Sequence, residues 1–492
     1  MPTAVPSNII IPFVGISFDN SLSGAASSDV PVKLLLIGQR TSSGSVAAEI
    51  VYLATNANDV GAKSGFGSQL HRMALFATAN NKTVPMYCVG LDDAATSTAA
   101  TSVWTLSGTA TASGEYVTYV GGQRYAIGVS IGDTAADIQI ALTTALTADV
   151  NNLPVTAADD ASGEMTLTAK NKGIAAGDLD VRFNANLGEQ LPAGLALTSV
   201  TFTAGTVDPD VADALAVLGS DWFNVIAQPY TDNTNMNLIE AYLDSVNDPM
   251  EMRDAMCYQA LRDTLANTIT YGSDTTNRNS EWMVTLAVYK RMQSTFEIAA
   301  EVAGLTAVSI QDDPAVPLHR MNLTKTTALD TIDKWTAVER NLLALSGIAT
   351  LSDDVGVQTE ATVTMYLKND AGADDRSYQQ QNTMFILSSL RYRFRNWILS
   401  KYPRAKLASN ADLIGPGQQI MTLDTARDEA VAWFKQAQRD GLVEPSPAAL
   451  TQFKADLIVE RDSGNVNRIN WILPPDLMNL FIVGSAVIQF RQ

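Results

Sequence analysis

Few residues of this sequence are equipped for catalysis. The 492-residue chain holds two histidines and two cysteines. His71 falls in the first turn of an expected helix and His319 in a proline-flanked loop, with no carboxylate–histidine–serine order around either. A serine hydrolase needs that base, and a zinc enzyme needs a ligand set that is absent. Cys88 and Cys257 sit inside apolar stretches with no second cysteine at a metal or redox spacing. They read as buried thiols without a disulfide framework, which suits a reducing compartment. Asp159-Asp160, Asp353-Asp354 and Asp374-Asp375 stand in expected loops, where adjacent acids are usually solvated. "IGQRTSSGS" after a strand has neither glycine spacing of a nucleotide loop, so Gly38 reads as a turn. "GFGSQL" (65–70) has only the first two glycines, and Ser68 is placed to cap a helix. These residues predict no enzyme, no cofactor and no metal.

One stretch is charged out of proportion to the rest. "RYRFRNWILSKYPRAK" (391–406) carries Arg391, Arg393, Arg395, Lys401, Arg404 and Lys406, 6 of the 33 basic residues, in a chain of formal charge −19. That overall balance argues against a nucleic-acid binder, whose affinity rests on cations facing phosphates. Two readings of the run stay open. It is a solvated helix end whose cations complement the helix C-terminus, or a docking patch for an acidic partner.

The elements that would position these residues are those of a multidomain α/β and α+β protein. With 46% hydrophobic residues the chain can bury a sizeable core. The start, "MPTAVPSNIIIPFVG", lacks a basic region and meets Pro12 after its apolar triplet, so no signal peptide is expected. No run approaches the roughly 18 apolar residues of a bilayer span, and assembly in the cytoplasm is expected. "VKLLLIGQ" (32–39), the helix that puts Leu70, Met73, Ala74 and Ala77 on one face, and "VPMYCVGLDD" spell a βαβ unit with a parallel sheet. The expected domains are an N-terminal arm (1–24), an α/β domain (25–94 and 206–320), an inserted outward-facing α+β module (95–205), a C-terminal inner domain (321–475) and a C-terminal arm (476–492). The insert shows four basic residues, long Thr/Ala/Gly tracts and a hairpin turning at Gly121-Gly122. After it, helices are expected around 235–265 and 279–304, a strand over 355–367, a helix over 378–400 and another over 425–441. The chain ends in "PPDLMNLFIVGSAVIQFRQ", whose alternation predicts a strand apolar on both faces. Taken alone, that strand belongs to a sheet of its own chain.

Several segments carry a resemblance. "GFGSQLHRMALFATANNKTVPMYCVGLDD", "LTAKNKGIAAGDLDVRFN", "VERNLLALSGIATL", "KYPRAKLA" and above all "LIVERDSGNVNRINWILPPDLMNLFIVGSAVIQF" are similar to the contractile tail sheath proteins of Mu-like bacteriophages. The resemblance implies a virion subunit that stacks in helically arranged rings around a tail tube and contracts to drive the tube through the host envelope. It implies partners in further copies of the chain, the tube protein, the baseplate and the tail terminator, without nucleic-acid contact or membrane insertion. It also implies arms that exchange strands between copies, through Ile16, Phe18, Phe481, Val483, Val487, Ile488 and Phe490. Arg391, Arg395, Arg404 and Lys406 are the candidates for docking on the tube. The alternative is a cytoplasmic α/β enzyme or small-ligand binder, with its ligand at the C-terminal ends of "VKLLLIG" and "VPMYCVG".

Overall fold

A computed structural model describes residues 30–409 and 418–489; Ile16, Phe18 and Phe490 lie outside them. Leu34 and Leu36 enter the core on one face of a sheet, Leu35 and Ile37 the core on the other, and all four are at most 1% exposed. Side chains alternate along a strand, so an unbroken apolar run suits one covered on both sides. The sheet has seven strands in the order Ile348–Ala349, Met283–Ala287, Met256–Leu261, Val225–Ala227, Leu34–Gln39, Met86–Leu91 and Val51–Ala54, parallel except for the last. Helices Gln69–Asn80 and Thr295–Asp312 supply the core on one face, Ala212–Ala216 and Asn233–Asn247 that on the other. The expected βαβ unit is present, with Ser68 capping its helix through the backbone N–H of His71.

Two glycines let the layers close up. A Cβ on Gly304 would lie 2.6 Å from the Ala77 carbonyl oxygen, so the two helices cross where one has no side chain. Gly38 does not turn the chain. It stays in the strand opposite Gly90, and its missing Cβ leaves room for Met73. Across the same helix pair Arg72 meets Glu297 at 2.6 Å with both side chains buried, and Arg72 also donates to the Asn152 carbonyl.

The expected elements and their boundaries need correction in three places. Met256–Leu261 and Met283–Ala287, expected inside helices, are sheet strands, and the helices are Asn233–Asn247 and Thr295–Asp312. Each strand is a short apolar run buried on both faces, which periodicity cannot tell from a buried helix. The expected strand at 355–367 forms a strand only at Gln358–Thr359, with an isolated bridge from Val363 to Gln380. Its other backbone bonds are scattered over several segments, among them Leu323, Thr350, Met283, Gln379 and Gln381, so it threads over the sheet as irregular chain. The boundary at 320 also moves, because the sheet takes a strand from Ile348–Ala349, and Met384 and Phe385 still belong to its core.

The insert folds around its own core of Trp104, Tyr116, Leu142 and Leu167. It has a four-stranded sheet (Leu195–Thr203, Ala99–Gly108, Glu164–Lys172, Val155–Asp159), a three-stranded one (Gln123–Val129, Gly114–Val120, Val181–Phe183) and the helix Ala135–Ala148. Its hairpin turns at Gly121-Gly122, both at positive φ, as a tight two-residue turn demands.

The helix Gln381–Lys401 joins the bodies. Its first turns pack on the large sheet, and Ile386 and Leu390 pack with Trp433, Phe434 and Phe453 in a C-terminal core. That core is completed by helices Leu423–Arg439 and Pro447–Asp456 and the hairpin Ile458–Arg461/Ile469–Ile472.

Candidate assembly surfaces

His71, Cys88, Cys257 and Asp353 are part of the packing. His71 is fully buried, its Nδ1 accepts from the Gly67 N–H, and burial lowers its pKa to about 4, which keeps it neutral. Burial pushes both cysteine thiols up, so neither supplies a thiolate. Asp353 is not solvated as expected. It makes a two-pronged buried pair with Arg291, at 3.1 and 2.8 Å. Among the described residues no group of His, Cys, Asp and Glu is arranged to hold a metal, and no helix is long and apolar enough to cross a membrane.

In doubly wound sheets, ligands bind beyond the carboxyl ends of the strands where the strand order reverses. Here the order reverses between Val225–Ala227 and Leu34–Gln39, and the roots of the insert pack beside it, at the carboxyl ends of Leu34–Gln39 and Met86–Leu91. The Gln39 amide donates to Asp93 at 2.8 Å and to the Lys172 carbonyl at 2.6 Å. Asn171 donates to the Arg40 carbonyl and to Asp93, and accepts from the Gln69 N–H. The crevice that the enzyme reading requires is occupied by the protein's own polar side chains.

Of the basic run's six cations, three are held within the chain. Arg391 donates to Asp254 at 2.6 Å and to the Asn247 carbonyl at 2.9 Å, clamping the joining helix to the sheet domain. Burial raises the Asp254 carboxyl's pKa, and Arg391 opposes that rise. Arg393 bonds Asp440 at 2.7 Å. Lys401 lies 3.7 Å over the Trp397 ring and bonds Glu429, which also accepts from Trp397 and Tyr402. Burial works to raise the Glu429 carboxyl, but these three donors outweigh it and hold it below the usual range. Arg395, Arg404 and Lys406 are exposed and make no ion pair with another described residue. Arg391 is therefore removed from the expected docking set. Its partner stands 137 positions away, so no local pattern could have shown the pairing.

The C-terminal arm leaves from a fixed root. The Glu444 N–H donates to the Asp476 carbonyl at 2.9 Å and the Met478 N–H to the Leu442 carbonyl at 3.1 Å. Beyond the root, no described residue of 479–489 pairs in a sheet, and Phe481, Val483, Val487 and Ile488 are 79–90% exposed. The hairpin beside the root has two edges unpaired among the described residues and ends on half-exposed Ile458 and Ile472.

Residues 204–365 match the family model of the phage tail sheath protein central domain. The chain is 35% identical to the Mu-like prophage FluMu tail sheath protein of Haemophilus influenzae, over 99% of this chain and 98% of that one. The chain belongs to the phage tail sheath family. Its matched central segment starts where the insert ends and contains four of the seven sheet strands. Among solved structures this sheath chain aligns with the sheath tail protein of Desulfitobacterium hafniense at 13% identity and TM-score 0.49, covering 94% of this chain and 100% of that one. It also aligns with the helical sheath of the anti-feeding prophage in the contracted state, at 10% identity and TM-score 0.49, covering 98% and 99%.

Proposed function

We propose that this structural component of the phage tail sheath is the repeating unit of a contractile polymer. Copies stack helically around the tail tube, and the C-terminal arm of each adds as a strand to a neighbour, with the open hairpin Ile458–Arg461/Ile469–Ile472 as its acceptor. The N-terminal segment bearing Ile16 and Phe18 contributes to the same shared sheet. The observation that carries this reading is the arm: apolar side chains line both faces of a segment that pairs with no strand among the described residues. Strand addition draws affinity from backbone hydrogen bonds and specificity from alternate side chains. Arg395, Arg404 and Lys406 face the tube, each a weak contact made strong by repetition on every copy. Energy stored at assembly is released as copies reorient, so contraction requires no nucleotide site.

Deleting 480–492 tests the reading. The expected product is a soluble, folded subunit, melting as the parent does, that forms no striated tubes in electron micrographs. A truncated chain that unfolds tens of degrees lower or aggregates would show that the segment belongs to its own core.

A further inference from the structure

We infer that the insert carries a second contact between copies, in which the edge strand Leu195–Thr203 of one copy pairs with the edge strand Val155–Asp159 of another. The inference rests on the sheath reading, which sets many copies side by side.

The first observation is an undefended edge. Proteins blunt exposed sheet edges with charges, prolines or covering segments, because unpaired N–H and C=O groups invite another strand. From Leu195 to Val207 the sequence is LALTSVTFTAGTV, with no charged residue and no proline. Among the described residues the strand pairs on one side only, with Ala99–Gly108, and every residue from Thr198 to Ala204 is exposed. Val200 and Phe202 are 54% and 51% exposed although they share a face with the buried Trp104 and Ser102 opposite them. Val, Thr and Phe are strong strand formers, so the segment is chosen for pairing and lacks half of its ladder.

The second observation names the occupant. The three pairings of this sheet are all antiparallel. Its two outer strands therefore run in opposite directions. Sheets of two copies laid edge to edge in the same orientation would bring Leu195–Thr203 of one against Val155–Asp159 of the next as an antiparallel ladder. The faces match too. Phe202 lies in one transverse row with Ser102, Leu167 and Ala157, so a continued sheet puts Phe202 beside the Val155 and Ala157 side of its neighbour. The outward rows, Thr203–Thr101–Thr168–Thr156 and Thr201–Val103–Thr166–Ala158, continue as a neutral, largely threonine surface. A contact between two different patches propagates from copy to copy, as a polymer requires, whereas pairing one patch with itself closes a dimer.

Cysteine cross-linking tests this, because Cys88 and Cys257 are fully buried. Thr201→Cys and Ala158→Cys both stand on the outward face, three strands apart, or about 14 Å within one sheet. A short bis-maleimide applied to assembled polymer of the double variant is expected to give a ladder of dimers, trimers and larger species, with each single variant left monomeric. A dimer from Thr201→Cys alone would set the edge against itself and overturn the inference. Ordered polymers without a ladder would overturn it as well. If wild-type subunits form no polymer in the same micrographs, the sheath reading fails and this contact falls with it.

Discussion

Arg391 and Arg395 are one helical turn apart, yet substitution should show them to be different kinds of residue. Removing the Arg391 guanidinium by Arg391→Ala strips two hydrogen bonds from the clamp on the sheet domain and leaves Asp254, 5% exposed, facing the Asn247 carbonyl. Breaking a fully buried pair costs about 3–5 kcal/mol. The Arg391 side chain is 34% exposed, so water replaces part of the loss and about 1–3 kcal/mol is expected. At roughly 2–4 °C per kcal/mol for a domain of this size, melting falls by several degrees. The combined reversal Arg395→Glu, Arg404→Glu and Lys406→Glu touches side chains in open solvent and should move stability by no more than about 0.5 kcal/mol per site. Its effect belongs on the tube. Three exposed pairs at about 0.2–1 kcal/mol each make ~0.6–3 kcal/mol per copy, or about threefold to a hundredfold in attachment. Thermal melts of both variants, with co-sedimentation on purified tubes at low and high salt, separate the two effects. The reasoning is refuted if Arg391→Ala melts with the parent, or if the triple reversal coats tubes normally at low salt. The latter result would return the tip to a solvated helix end.

Three further outcomes are expected. Arg72→Met leaves Glu297 buried without its cation and should cost about 3–5 kcal/mol in denaturant unfolding, more than Glu297→Gln, whose amide oxygen still accepts from Arg72. Glu429 has a lowered pKa, so its contribution is present above the ordinary carboxylate range and is lost as pH falls through the lowered value. Glu429→Gln should therefore melt below the parent at pH 7, with the two curves converging as pH falls through the lowered pKa. Replacing 95–205 with a Gly/Ser linker takes Asn171 from Gln69 and Asp178 from Arg262 and Thr295. That variant should melt lower yet still build tubes in micrographs, and failure to form any ordered polymer would place the insert among the indispensable contacts.

What was legible in the sequence followed local rules. The first βαβ unit, the hairpin at Gly121-Gly122 and the helix burying Ala426, Ala430, Trp433, Phe434 and Ala437 are each written in a single period with a cap or turn at its end. The strands Met256–Leu261 and Met283–Ala287 were not legible, because a run buried on all sides has no period to display. Nor was the extent of the sheet domain, since Ile348–Ala349 is two residues long and is a strand only because Met283–Ala287 lies beside it. The charged surface divides the same way. The run 391–406 announced itself by density, but which cations were free depended on Asp254 beside the sheet domain and on Glu429 and Asp440 of a later helix, two other places in the chain.

The joining helix Gln381–Lys401 begins in one hydrophobic core and ends in another. Its 21 residues form a rod of about 32 Å, gripped along its length by two packed bodies and pinned at mid-span by Arg391. A rod held that way transmits torque and does not store it as bending. When a copy in the proposed polymer swings, its tube-facing tip and its sheet domain must swing through the same angle. Compliance in the proposed polymer is then left to segments outside both grips, with the C-terminal arm as its universal joint and each subunit turning as a stiff crank.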